Sequence, residues 1–168
     1  MMRPAAHEFA PYYEKYIDLV KGDVLEELRR QATDIPQFLQ SIPKEKEYAA
    51  YAPGKWPLKE VIGHITDTER IMAYRALRIA RRDLAPLPGF DQDDYVRHSS
   101  CHSRSMSSLS DEFGAVRRSN LLLFESFDEA ALGCRGVASG NPVSVRALLY
   151  IVAGHALHHI TVIKERYL

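Results

Sequence analysis

Apolar residues recur at helical spacing in four separate stretches of this chain, while the strand signal is weak throughout. That periodicity limits the fold more than any other feature of the sequence. The first stretch runs from about Tyr12 to Gln40 and carries Tyr16, Leu19, Val20, Leu25, Leu28, Phe38 and Leu39. Gly22 and Asp23 weaken its middle, and Ile35-Pro36 offers a place to kink or restart, because proline disfavours helix in the residue before it. After a connector from Pro43 to Gly54, the second stretch opens at Trp56-Pro57, where proline suits a first helical turn. Leu58, Val61, Ile62, Ile65, Met72, Ala76 and Ile79 then trace one stripe as far as about Arg82. The third stretch spans about Leu109 to Leu132, with Ser108 or Ser110 as its cap and Phe113, Val116, Leu121, Phe124 and Phe127 on its buried side. Gly133–Pro142 reads as a glycine-rich connector, and Ser144 caps a fourth stretch from Val145 to Leu168.

Four helices of this length specify an all-α fold, a four-helix bundle. Leu84 to Ser107 must cross between the second and third helices. So long a connection tends to be functional or to hide a short helix, expected here near Asp91–Val96. With 168 residues and no internal repeat, residues 1–168 are expected to form a single domain with a core of its own.

Charge excludes some function classes. Lysine plus arginine number 22, as do aspartate plus glutamate, so no net field recruits nucleic acid or an anionic membrane, and neither is an expected partner. Arg75, Arg78 and Arg82 share a face of the second helix and are expected to form a solvated outer surface. A grip on an anionic substrate is the rarer use of such a face. Cys101 and Cys134 lie in unlike surroundings, and Met1–Tyr13 offers no apolar targeting segment, so a reducing cytoplasm is the expected location. No apolar run approaches the roughly 18–20 residues that span a bilayer.

The chemistry lies in the histidines. His155 and His159 are four residues apart, so both imidazoles sit on one helix face a turn apart. His64 flanks the buried stripe of the second helix and could complete a three-nitrogen site with open positions. Taken alone, His64 reads equally well as a hydrogen-bonded core residue. His158 points about 100° away from His159 and is expected at the surface or beside the site. Other helical metal motifs fail: position 156 is alanine, so the glutamate of a zinc-protease helix is missing, and no histidine has a glutamate three residues before it, as di-iron bundles require. His98, Cys101 and His102 form a rival cluster, set in a serine-rich and therefore solvated segment. Asp67 and Glu60, each within a turn of His64, are candidates for orienting its ring. Trp56 is expected to anchor the second helix against the core.

The segment Trp56-Pro-Leu-Lys-Glu60-Val-Ile-Gly-His64 resembles the helix-two signature of the DinB-like (DinB/YfiT) superfamily, with a histidine eight positions after a tryptophan. Leu87–Tyr95 is similar to the crossover of one branch of that group, and Val145–Tyr167 to its last helix. One departure is Pro57, where relatives often carry serine or threonine. The resemblance implies a four-helix bundle with one divalent ion per chain, zinc or nickel, held by His64, His155 and His159. It also implies a homodimer and a small-molecule substrate. Some relatives are thiol-S-transferases or isomerases that use low-molecular-weight thiols, and others are described as metal-dependent hydrolases. The expected function is therefore a metal-dependent thiol-S-transferase or hydrolase. The alternative is a non-catalytic metal- or ligand-binding stress-response protein. No matched position identifies a catalytic or cofactor-binding residue beyond the metal ligands.

Overall fold

A computed structural model describes residues 1–168. In chain order its helices are α1 (Glu14–Ile17), α2 (Val24–Gln40), α3 (Leu58–Ala80), α4 (Gln92–His98), α5 (Met106–Glu125), α6 (Glu129–Leu132) and α7 (Val145–Val162). Two strands, β1 (Arg135–Ala138) and β2 (Asn141–Ser144), form a hairpin, and a wider π turn (Ile163–Tyr167) continues α7. The four long helices α2, α3, α5 and α7 make the bundle. α2 packs chiefly on α5, and α3 on both α7 and α5.

Local chemistry sets the boundaries. Gly22 takes φ +87°, and the Asp23 carboxylate accepts from the backbone of Leu25 at 2.9 Å and Glu26 at 3.2 Å. The expected single first helix is thus two, because a left-handed glycine followed by an N-cap starts a new one. Pro36 neither ends nor restarts α2. The Ser110 hydroxyl donates to the Pro36 carbonyl at 3.0 Å, tying α2 to α5. Neither Ser108 nor Ser110 caps the third long helix. Ser105 does, accepting from Ser108 N at 3.1 Å, and it starts α5 at Met106. That helix stops at Glu125, and Asp128 caps the separate turn α6. Ser144 caps α7, accepting from Ala147 N at 3.0 Å.

The supposed connector Gly133–Pro142 is mostly hairpin, whose second strand runs on to Ser144. Ala138 pairs with Asn141, and Ser139 and Gly140 between them take φ +52° and +74°. Two positive φ values make the type I′ turn that joins twisted strands. Leu87 of the crossover bonds alongside β1, donating to Val137 O at 2.8 Å and accepting from Ser139 N at 3.0 Å. Arg75 seals that junction, donating to Pro88 O at 2.7 Å and Ser139 Oγ at 2.9 Å. It is buried at 3 % exposure. The solvated outer face expected for it is therefore wrong: two crossover and hairpin acceptors draw its guanidinium inward. Arg78, by contrast, pairs with Asp83 at a half-exposed site. The short helix expected in the crossover is α4, capped by Asp91.

α7 is more apolar than the sequence reading allowed, and its regular α-helix ends at Val162, short of the expected Leu168. The most apolar 18 residues within Val145–Tyr167 have a mean hydropathy of 1.3, enough by composition to cross a membrane, but 67 % of them are buried within the protein. Its apolar residues fill the centre of the bundle instead.

The apolar core falls into two clusters. One gathers Val24 and Leu28 of α2, Met72 and Ile79 of α3, Leu121 and Phe124 of α5, and Leu148 and Ile151 of α7. The other gathers Ile35 and Leu39, Ile62 and Ile65, Leu109 and Phe113, and Ala156 and Ile160 from the same four helices. Between them lies a buried polar layer of Gln31, His64, Thr68, Glu69, Arg117 and His155. Arg117 donates to both Glu69 carboxylate oxygens at 2.7 and 2.8 Å and also to Gln31. Gln31 donates to Ala153 O at 3.1 Å. One network therefore spans all four helices next to His155.

Gly154 precedes His155 for a steric reason. A Cβ there would lie 1.9 Å from the Tyr16 carbonyl oxygen, backbone that has no side-chain freedom to move away. Gly154→Ala is therefore expected to push α1 off α7 and to cost about 1–3 kcal/mol or more, as overpacking does. Urea unfolding measures it, and a midpoint equal to that of the native protein would show that α1 is not held by this contact.

Candidate metal centre

α3 and α7 bring His64, His155 and His159 together. His64 Nε2 lies 3.1 Å from His155 Nε2, and His159 Nε2 lies 3.1 Å from the same atom. One nitrogen from each ring falls within 4.8 Å of the others. His64 and His155 are only 5 % and 6 % exposed, and His159 is half-buried.

Three neutral imidazoles with their Nε2 atoms turned on one another cannot satisfy each other. A ring protonated at Nε2 donates to one neighbour only. Ligands side by side on one ion, with bonds of about 2.0–2.1 Å, stand roughly 3 Å apart, so the two 3.1 Å pairs are compatible with a shared divalent metal. The donor set is all nitrogen, which suits zinc, nickel, copper or iron.

Electrostatics keep the rings ready for a cation. Burial pushes the His64 imidazole down to about 4, against an opposing pull from the Asp93 carboxylate. Burial, with repulsion from His64, His158 and Lys15, takes His159 down to about 3. Burial also holds His155 well below its ordinary value, reinforced by the neighbouring imidazoles. Protons then compete weakly for the metal-binding nitrogens.

The same shifts predict a pH dependence for metal-free protein. Unfolded histidines titrate near 6.5 and the folded ones lower, so below that value the unfolded chain binds more protons. Stability is full above about pH 6.5 and is lost as the pH falls toward 4. Urea midpoints in a chelating buffer should fall across that window, and fall less in a His155→Ala/His159→Ala variant. Parallel profiles for the two proteins would contradict this.

Neighbouring groups divide into supports and walls. The Trp56 ring lies 4.8 Å from that of His64, as its anchoring role anticipated. Tyr16 meets His155 edge-on at 5.3 Å. His158 packs edge-on against Tyr16 at 5.4 Å, outside the nitrogen cluster as expected. Neither Asp67 nor Glu60 hydrogen-bonds the His64 ring. Arg70 on the next turn draws the Asp67 carboxylate to itself at 3.4 Å, and Glu60 makes no bond to any of the rings; the only hydrogen-bond contact of His64 is His155. The rival cluster does not assemble: Cys101 is buried against Gly63, while His98 is exposed and bonds to Asp94 O at 2.8 Å.

Two recesses reach the histidines. One, of about 150 Å³, touches His64 and His155 and is walled by Tyr12, Tyr13, Tyr16 and Phe90. The other, of about 400 Å³, touches His159 and is walled by Lys55, Trp56, Asp93 and Tyr167. Gln92, the first residue of α4, lines both. Sequence reading missed Gln92, Asp93, Thr68 and the three tyrosines. A detectable signal was there in the closeness of Tyr12, Tyr13 and Tyr16 and in the Asp91 cap, which fixes where Gln92 and Asp93 start their helix.

A four-helix bundle with a long crossover, carrying three convergent histidines on its second and last long helices, defines a class of metal-binding bundle proteins. The DinB superfamily model matches residues 27–163, and the chain belongs to that superfamily. Among solved structures it is similar to YfiT from Bacillus subtilis, described as a probable metal-dependent hydrolase with an unusual four-helix bundle topology. The two share 15 % identity with a TM-score of 0.72, over 98 % of this chain and 90 % of that one. No curated protein matches.

Proposed function

We propose that this protein is a metal-dependent enzyme acting on a small molecule, as a thiol-S-transferase or a hydrolase. One zinc or nickel ion per chain would be held by His64, His155 and His159. The observation that carries the reading is the convergence of three Nε2 atoms, 3.1 Å apart in two pairs, at the floor of open recesses. Three neutral imidazoles leave the ion its full double charge, and it would supply Lewis acidity toward a water or a thiol.

The chain's own residues do the rest. Trp56 packs on the His64 ring and Tyr16 on the His155 ring, limiting their rotation. The two recesses give a substrate and a second reactant separate routes to the same point. Asp93, close enough to bias His64, offers a carboxylate to accept a proton at the rim of the larger recess. A low-molecular-weight thiol as co-substrate and a homodimer as the assembly are part of the same reading, supported by the resemblance of the sequence.

Elemental analysis of protein purified without a histidine tag is the first test, followed by ester, amide and thiol-transfer panels. About one ion per chain with turnover on one panel is expected. A loaded ion without turnover identifies a binding protein instead, and no ion after incubation with zinc and nickel overturns the reading.

A further inference from the structure

Two arginines are buried in this bundle, and only one is neutralised. Arg117 has the Glu69 carboxylate. Arg75 meets no carboxylate: its partners are Pro88 O, Ser139 Oγ and, at 3.5 Å, Met72 Sδ. A buried guanidinium without an anion is costly, and a ligand that brings one relieves that cost. Ser139 and Met72 both line the smaller recess, so Arg75 stands behind its wall.

That side of the recess is a stripe of α3. His64, Thr68, Met72 and Arg75 follow at steps of four, four and three residues, which keeps them on one face. Long helical side chains lean toward the N-terminus, so Arg75 reaches back along the stripe toward Thr68. Two hydroxyls there have a proton to give. Thr68 is 4 % exposed and its hydroxyl has no hydrogen-bond partner, whereas Thr66, two residues earlier, donates to Ile62 O at 3.0 Å. Ser139 accepts from Arg75 at 2.9 Å and donates to no group of the chain, so the cation polarises a free donor.

The unpaired charges around this recess share one sign. Lys15 Nζ lies 4.3 Å from the Tyr12 ring centre and 4.8 Å from that of Tyr16, two rings of the wall, and no ion pair holds it. A divalent ion on His64 and His155 would add to the same field. The acids nearby are committed or face elsewhere: Glu69 is bound to Arg117, and Asp93 lines the larger recess. At about 150 Å³, walled by Tyr12, Tyr13, Tyr16 and Phe90, the smaller recess has room for one ring.

We propose that the smaller recess binds a compact aromatic or similarly apolar carboxylate. The Thr68 hydroxyl donates to the carboxylate, and Arg75, through Ser139, supplies the opposite charge. The substrate class of the neighbouring metal site is then an organic anion. The assignment rests on the metal-dependent reading only in making that anion a substrate, since binding it needs no ion.

The test measures binding by fluorine NMR to protein stripped of metal and dialysed free of chelator, using 4-fluorobenzoate and its uncharged counterpart 4-fluorobenzamide. The native protein should bind the benzoate and bind the amide at least about tenfold more weakly. Thr68→Val keeps the shape and removes the hydroxyl, and should weaken benzoate binding by about tenfold, while Thr68→Ser retains it. A melting temperature no lower than native would show that the valine variant folds, as expected when an unpaired hydroxyl is removed. Arg75→Met should weaken the benzoate by about tenfold and leave the amide unchanged. Absence of benzoate binding, an amide bound as tightly as the benzoate, or equal benzoate affinity in native and Thr68→Val overturns the proposal. So does an Arg75→Met variant that loses both probes alike, which would make the guanidinium a strut of the fold. Because the ion is absent throughout, these failures stay separate from a failure of the metal site, which elemental analysis reads.

Discussion

Replacing His155 and His159 together by alanine will leave a folded protein that no longer holds a divalent ion. Two of the three nitrogens that converge within 4.8 Å come from this one turn of α7, so the variant keeps only His64. A single imidazole cannot hold an ion at one per chain in competition with water and buffer. The fold should survive because alanine is the best helix former and α7 is packed by apolar residues on either side of the pair. The cavity left by two rings costs stability, while removing two buried imidazoles without partners offsets part of it. A paired melting experiment reads the site directly. Zinc at about 100 times its dissociation constant stabilises by about 2.7 kcal/mol, roughly 5–10 °C for a chain of this size. Native protein should show that rise and the variant none. An equal rise in both would place the ion elsewhere.

The second large effect is expected at Glu69. Its carboxylate holds the fully buried Arg117 through two bonds, and Arg117 in turn holds Gln31, which reaches Ala153 O. Glu69→Ala strands a guanidinium in the middle of the bundle, which costs about 3–5 kcal/mol. Water cannot easily relieve it, because apolar clusters close the layer above and below. Replacing both partners, Glu69→Leu with Arg117→Met, should be far less damaging than Glu69→Ala alone, since no charge is then left buried. Urea unfolding of the two variants decides this. If the double replacement is the more damaging, the pair contributes net stability beyond its own desolvation.

The long helices and the His155/His159 pair were legible in the sequence for the same reason, whereas His64 joined them only through the family resemblance. The helices and the pair depend on spacing along one helix, and helical spacing survives in any window of a dozen residues. His155 and His159 needed only α7, and the Ser144 cap was visible three residues before the backbone N–H it bonds. What the sequence hid depends on contacts between distant segments. Arg75 looks like a surface arginine until Pro88 and Ser139 arrive beside it. The hairpin strands have four residues each, and one includes Pro142, too little for alternation to register. Tyr16 reaches the site only because Gly154, far along the chain, lets its carbonyl close in. Gln31, Glu69 and Arg117 each look like ordinary helix-surface residues, and only the bundle makes them one layer.

Trp56 gives the molecule a further property. It is the only tryptophan in the chain, and its ring lies 4.8 Å from that of a metal-binding histidine. Indole emission therefore originates at the site and nowhere else. A closed-shell ion such as zinc leaves that emission to report polarity and packing, whereas an open-shell ion at the same position offers it a quenching route. The protein carries its own optical probe of whichever metal these histidines take up, with no label to attach.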